Sequence, residues 1–86
     1  MTEPREARLK RMKMRSMRRG IKEMDLILSA YAERALADMT PADLDLYDAL
    51  LQENDRDLYE WVTEQQTTPD TYSELLKDIR QVFYNK

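Results

Sequence analysis

The chain has no cysteine and no histidine among its 86 residues. That excludes disulfide frameworks, thiol nucleophiles, Cys/His zinc sites and imidazole acid–base chemistry. A cysteine-free chain also fits a reducing compartment. Glycine occurs once and proline three times, so few positions interrupt a helix. No apolar run approaches the roughly 20 residues that cross a bilayer, and no signal-type apolar stretch stands near the first residue. The first segment is arginine-rich, as transit peptides are, but Glu3 and Glu6 argue against that reading. No glycine-rich phosphate loop is present, which removes the common nucleotide-binding motif.

What is there is helix-forming and charged. Apolar residues make up 42% and charged residues 36% of the chain, a balance suited to a small folded α protein rather than a disordered one. The length predicts one domain, residues 1–86. The net charge of −3 conceals two poles. Residues 1–23 carry nine Lys or Arg against three acids, and residues 24–86 carry five against fourteen. Such poles either steer a directional encounter or neutralise each other within the fold.

Five helical segments are expected. The first runs from about Pro4 to Arg18, ended by Gly20, the sole glycine and a natural place for a positive-φ turn. As one helix it would gather Arg8, Arg11, Arg15, Arg18 and Arg19 within roughly a 100° arc. Leu9, Met12 and Ser16 form a thin stripe beside them, and Met14 and Met17 lie on another side. The second segment, about Lys22 to Ala37, is amphipathic through Met24, Ile27, Leu28, Tyr31 and Ala35, with Glu23 and Asp25 at its positive end. Thr40-Pro41-Ala42-Asp43 is a start signal for the third, which turns Leu44, Tyr47, Leu50 and Leu51 inward. Asn54 caps the fourth, striped by Leu58, Trp61 and Val62, with Tyr59 pointing elsewhere. The fifth opens at Thr68-Pro69 or Asp70, and Tyr72, Leu75, Leu76, Ile79 and Phe83 form one apolar face. With short connections and no strand alternation, the expected architecture is a compact all-α five-helix bundle.

The candidate chemistry is sparse. The cluster Glu53, Asp55, Asp57 and Glu60 lacks the glycine of a calcium loop and contains Arg56, so capping explains it better than metal binding. Asp43, Asp45 and Asp48 read as a solvated helix face. Trp61 reads as core. The basic first helix has no interleaved aromatic for base stacking and only a narrow apolar face, which argues against nucleic acid and against membrane insertion. No catalytic residue, metal ligand or cofactor site is assigned. The remaining readings of the basic segment are a solvated face and a protein-docking surface. The docking surface centres on Arg18-Arg19-Gly20-Ile21-Lys22-Glu23-Met24-Asp25, where the basic and acidic poles meet.

That corner, followed by Tyr47-Asp48-Ala49-Leu50-Leu51-Gln52-Glu53-Asn54-Asp55-Arg56-Asp57-Leu58-Tyr59-Glu60-Trp61-Val62, resembles the flavinylation factors of succinate dehydrogenase. The resemblance spans roughly residues 8–83. It implies a non-catalytic assembly factor with a five-helix fold. The implied partner is the flavoprotein subunit of succinate dehydrogenase and, for some members, fumarate reductase. The factor promotes covalent attachment of FAD to a histidine of that subunit. FAD then belongs to the client, whose own groups supply the chemistry, and the factor acts by holding the client in a competent arrangement. The family's R-G-x-x-E signature falls on Arg19, Gly20 and Glu23, with Asp25 following. Many members carry an aromatic just upstream, where this chain has Met17, an adaptable contact. On this reading Gly20 permits close backbone approach, and Arg19 and Glu23 contact the client. Arg8, Arg11 and Arg15 steer the encounter. The competing structural reading caps the second helix with Glu23 and pairs it internally with Arg19. A small regulatory or antitoxin-like binding module is the alternative from another class. A monomer in bacterial cytoplasm is the expected setting, the mitochondrial matrix the less favoured one.

Overall fold

The computed structural model describes residues 3–84. Five α-helices follow in order: α1 Arg5–Arg15, α2 Lys22–Ala35, α3 Pro41–Leu51, α4 Asp55–Val62 and α5 Ser73–Tyr84. Short 3-10 turns at Leu36–Asp38 and Asp70–Tyr72 join α2 to α3 and lead into α5. No strand occurs among the described residues. The architecture is the all-α five-helix bundle expected from the periodicity.

Helix α2 is the spine, packing against α1, α4 and α5. Its expected stripe is the core: Met24, Ile27, Leu28 and Tyr31 are buried and Ala35 half-buried. Opposite it α3 buries Leu44, Tyr47, Leu50 and Leu51, while α4 and α5 add Leu58, Val62, Leu75, Leu76 and Ile79. The α3 start is the reciprocal capping box anticipated from Thr40 and Asp43. The Asp43 amide donates to Thr40 Oγ1 (3.1 Å) and the Thr40 amide to Asp43 Oδ2 (3.4 Å), with Pro41 in the first turn. Asn54 caps α4 by accepting the Arg56 amide at 2.8 Å.

Three helix boundaries, one backbone angle and one burial depart from expectation. Helix α1 stops at Arg15, three residues early, because Arg18 takes a left-handed φ of 54° that a right-handed helix cannot continue through. Arg18 and Arg19 therefore leave the arc of Arg8, Arg11 and Arg15. The positive φ expected at Gly20 is absent there. Helix α2 ends at Ala35 and tightens into a 3-10 turn closed by the Met39 amide on the Leu36 carbonyl (3.3 Å). Tyr72 is buried from the 3-10 turn before α5, whose amide reaches back to the Pro69 carbonyl (2.9 Å). Trp61 is half-buried rather than core, resting on the Tyr72 ring at 5.9 Å between centroids.

Candidate functional site

The corner between α1 and α2 is built from the outside in. Ser16, at the end of α1, is fully buried. Its hydroxyl donates to the Met12 carbonyl (2.8 Å) and shares a 2.6 Å hydrogen bond with the Tyr47 hydroxyl. Burial pushes the Tyr47 phenol up to about 12, so it stays protonated and paired. The Ser16 carbonyl in turn accepts from Ser29 Oγ (3.4 Å), whose hydroxyl also reaches Asp25 Oδ1 (3.1 Å). The C-terminal end of α1 is thus held against α3 on one side and α2 on the other.

Asp55, in the first turn of α4, locks the turn itself. Its Oδ1 accepts from Arg19 Nε (2.7 Å) and its Oδ2 from the Gly20 amide (2.7 Å). The Arg19 guanidinium completes its bonds inside the molecule, donating to the Arg15 carbonyl (2.7 Å) and the Leu51 carbonyl (3.2 Å). Its side chain is only 9% exposed. A Cβ on Gly20 would stand 3.0 Å from Asp55 Oδ2, tighter than a carbon–oxygen contact accepts without movement. The glycine is therefore favoured by tight space beside a carboxylate, not by a left-handed backbone. The positive end of the α4 dipole further favours the charged Asp55.

The arginine stripe also turns inward. Arg8 pairs with Asp45 (2.7 Å) and Asp48 (3.6 Å). Arg11 grips Asp48 with both terminal nitrogens (3.0 and 2.8 Å) and reaches Glu3 (2.7 Å). Arg15 donates to the Gln52 side chain (3.3 Å). Before them, Arg5 donates to the Ala37 and Met39 carbonyls (3.2 and 2.9 Å). The spacings 8, 11, 15 on α1 and 45, 48, 52 on α3 match because each step is about one helical turn. The Arg11 hydrogen bonds hold the Asp48 carboxyl below its ordinary range, against a smaller opposing effect of burial. Asp45 is exposed, as expected of a solvated face, whereas Asp48 is half-buried, and together they form a charge ladder that neutralises the basic helix within the fold.

The residues singled out from the sequence thus divide into two groups. Arg8, Arg11, Arg15 and Arg19 make hydrogen bonds to the protein itself, and Asp25 is half-buried against Ser29. Arg18, Gly20 and Glu23 are exposed together at the corner, with Lys22 between them. The internal pair anticipated between Arg19 and Glu23 is replaced by Arg19–Asp55, since the Arg19 side chain runs toward α4 rather than along α2. Asp55 is the residue that sequence reading missed. Its position in the first turn of a capped helix gave it a sufficient local role, and its real partners stand 35 and 36 residues away. Ser16 was read only as part of a stripe. A serine at a core position of α1 and a tyrosine at a core position of α3 were the available signal for that hydrogen bond.

Little else in the structure offers chemistry. A groove of about 470 Å³ lies between α2, α3 and α5 and is edged by Asp38, Asp43, Glu74 and Asp78 with Arg34. There Tyr31 donates to Asp78 (2.8 Å), and burial drives its phenol well above the usual tyrosine range. Among the described residues no cluster of three or more acids could hold a metal ion. No helix there is long and apolar enough to cross a membrane.

Comparison with known proteins places the chain in a family. A family model described as flavinator of succinate dehydrogenase matches residues 10–83. The chain is similar to the mitochondrial succinate dehydrogenase assembly factor 2 of Candida glabrata, 46% identical over 76 residues, covering 83% of this chain and 50% of that protein. It is 39% identical over 89 aligned positions to the factor of the same name in Saccharomyces cerevisiae, covering 98% of this chain and 55% of that one. The 2-A factor of Drosophila persimilis matches at 38% over 82 residues, 92% of this chain and 51% of its own. The chain spans about half the length of these relatives. All three carry the word mitochondrial in their names, which overturns the bacterial cytoplasmic setting expected from the first residues.

Proposed function

The chain belongs to the family of succinate dehydrogenase flavinators, and from that premise we propose that it binds the flavoprotein subunit of succinate dehydrogenase and promotes covalent attachment of FAD to it. The observation that carries the reading is the corner: Gly20 backbone, Arg18 and Glu23 stand exposed on a turn that Asp55 holds from beneath. A turn fixed by two 2.7 Å bonds to one carboxylate is preorganised, so little ordering cost opposes docking. FAD is the client's cofactor on this reading. The factor contributes no reacting group and favours the client conformation in which FAD and its attachment residue are aligned. Glu23, exposed and unencumbered by Arg19, contacts the client. Arg19 contributes through the shape of the turn. A mitochondrial setting is the one that the relatives' names support.

The test is flavin fluorescence of the client in a denaturing gel, from cells lacking the endogenous factor and supplied with wild-type or Glu23→Ala protein. Wild type restores the fluorescent band and Glu23→Ala leaves it weak, with an unchanged helical melt. No gain of fluorescence with wild type sinks the function. Full restoration by Glu23→Ala removes that residue from the contact.

A further inference from the structure

Three of the four large apolar side chains that are exposed among the described residues belong to the α1–α2 hairpin: Met14 (64%) on α1, Met17 (44%) in the turn and Leu26 (55%) on α2. The Ser29–Ser16 bond sets the register of the two helices. Leu26 stands three residues before Ser29 on α2, and Met17 directly follows Ser16, so both flank the same crossing. Further from the corner the seam continues as a shallow groove of about 290 Å³ lined by Leu9, Ala32, Leu36 and Ala37, with Lys10, Lys13 and Glu33 at its lip. Lys10, Lys13, Arg18 and Lys22 are exposed along this face, and neither the α1–α3 ladder nor the Arg19–Asp55 pair includes them. Its acids are Glu23 and Glu33.

We infer that this methionine–leucine strip, rimmed by lysines and Arg18, is the affinity-bearing part of the docking face, and that its occupant is an acid-rimmed apolar patch on the folded flavoprotein subunit. The inference rests on the function proposed above and assigns it different residues from the arginine stripe. Two physical arguments select the occupant. Protein interfaces take their affinity from a desolvated apolar centre enriched in methionine and aromatics, while charges at the rim set rate and orientation. Charge selects the rest. The face is the basic pole of a chain that carries fourteen acids against five bases after residue 23, so an acidic partner is drawn to this side and repelled from the others. Methionine, unbranched and polarizable, suits a centre that must fit an irregular partner surface.

The experiment measures binding of the purified flavoprotein subunit to the full chain, immobilised, by biolayer interferometry. Three proteins are compared: wild type, the triple variant Met14→Ser/Met17→Ser/Leu26→Ser, and the rim variant Lys13→Glu/Lys22→Glu. The inference expects the triple variant to dissociate at least roughly tenfold faster with its circular-dichroism melt unchanged. It expects the rim variant to associate more slowly and to lose most of the salt dependence of association. Wild-type binding that survives intact in the triple variant overturns the inference and leaves the proposed function standing. Failure of wild type to bind overturns both. Should the triple variant melt early, Leu26→Lys alone provides the readout, because that residue is on an exposed helix face where lysine is well tolerated. Unimpaired binding by it then counts against the strip.

Discussion

Asp55 and Gly20, 35 residues apart, are joined by a 2.7 Å hydrogen bond from the glycine amide to the aspartate carboxylate. The other oxygen of the same carboxylate holds Arg19. One side chain at the start of α4 therefore determines both the path of the α1–α2 turn and the direction in which its arginine points. Two of the three residues of the R-G-x-x-E signature are held by an acid outside it.

Replacing Asp55 by Ala should be among the costlier single changes at the surface. It leaves the largely buried Arg19 guanidinium without its carboxylate and the Gly20 amide without its acceptor. Loss of one partner of a partly buried pair costs about 1–3 kcal/mol after allowing for solvent at Asp55, which lowers Tm by roughly 5–15 °C in a domain of this size. Asp55→Asn keeps an acceptor and should fall between. Thermal melting by circular dichroism orders the three proteins. On the function proposed above, client flavinylation should fall in the same order at a temperature where all three are folded.

Gly20 and Arg18 should respond in opposite senses. Gly20→Ala places a methyl group 3.0 Å from Asp55 Oδ2, and Gly20→Val crowds it further. Destabilisation of about 1 kcal/mol for alanine and more for valine is expected. Arg18→Gly relieves a left-handed backbone at φ 54° that disfavours any side chain. The gain is about 0.5–1 kcal/mol, the strain released less the extra chain entropy of glycine. Urea midpoints on the three variants read the signs directly. A midpoint lowered by Arg18→Gly would show that the arginine side chain contributes more than its backbone costs.

The ladder between α1 and α3 makes stability depend on salt and acid. Arg11 hydrogen bonds depress the Asp48 carboxyl below its ordinary value of 3.8. A carboxyl depressed on folding contributes stability that is complete above its unfolded pKa and is lost as pH falls through the folded one. The unfolding free energy should thus be level above about pH 5 and decline below pH 4. Asp48→Asn should flatten that decline while costing about 0.5–1 kcal/mol at pH 7. Raising salt from about 0.05 to 0.5 M, where screening shortens to a few ångströms, should narrow the difference between the variant and wild type. Denaturant titrations at pH 7 and pH 3 test both statements.

Ser16 and Tyr47 offer an asymmetric pair. Ser16→Ala strands the Tyr47 hydroxyl in the core, at a cost of about 1–3 kcal/mol. Tyr47→Phe leaves Ser16 Oγ still bonded to the Met12 carbonyl and should cost less, about 0.5–1.5 kcal/mol. The double variant should be less destabilised than the sum, because the second change removes the orphan left by the first. A strictly additive cycle would show that the 2.6 Å contact contributes nothing as a pair.

Which of these features were legible beforehand follows a physical rule. Helices α2, α3 and α5 could be read because an apolar face repeats every three or four residues and because Thr40, Asp43 and Asn54 act within a turn of themselves. The α1 end could not, since Arg18 is an ordinary helix former and nothing in its own side chain signals a left-handed φ. The significance of Gly20 was visible, but its reason was not: a turn glycine and a glycine pressed against a distant carboxylate look alike in a sequence. The ladder was half legible. The arginine stripe and the acids of α3 were each plain, and the charge poles allowed mutual neutralisation, yet their alignment depends on how α1 lies across α3.

The Asp55 anchor also ties recognition to completeness of folding. A nascent or proteolysed chain that contains residues 14–26 but lacks a docked α4 carries every letter of the signature and none of its shape. The carboxylate that fixes the turn arrives only with the second half of the molecule. On the function proposed above, only a finished factor would engage its client, and an isolated peptide copied from the corner would make a poor competitor for it.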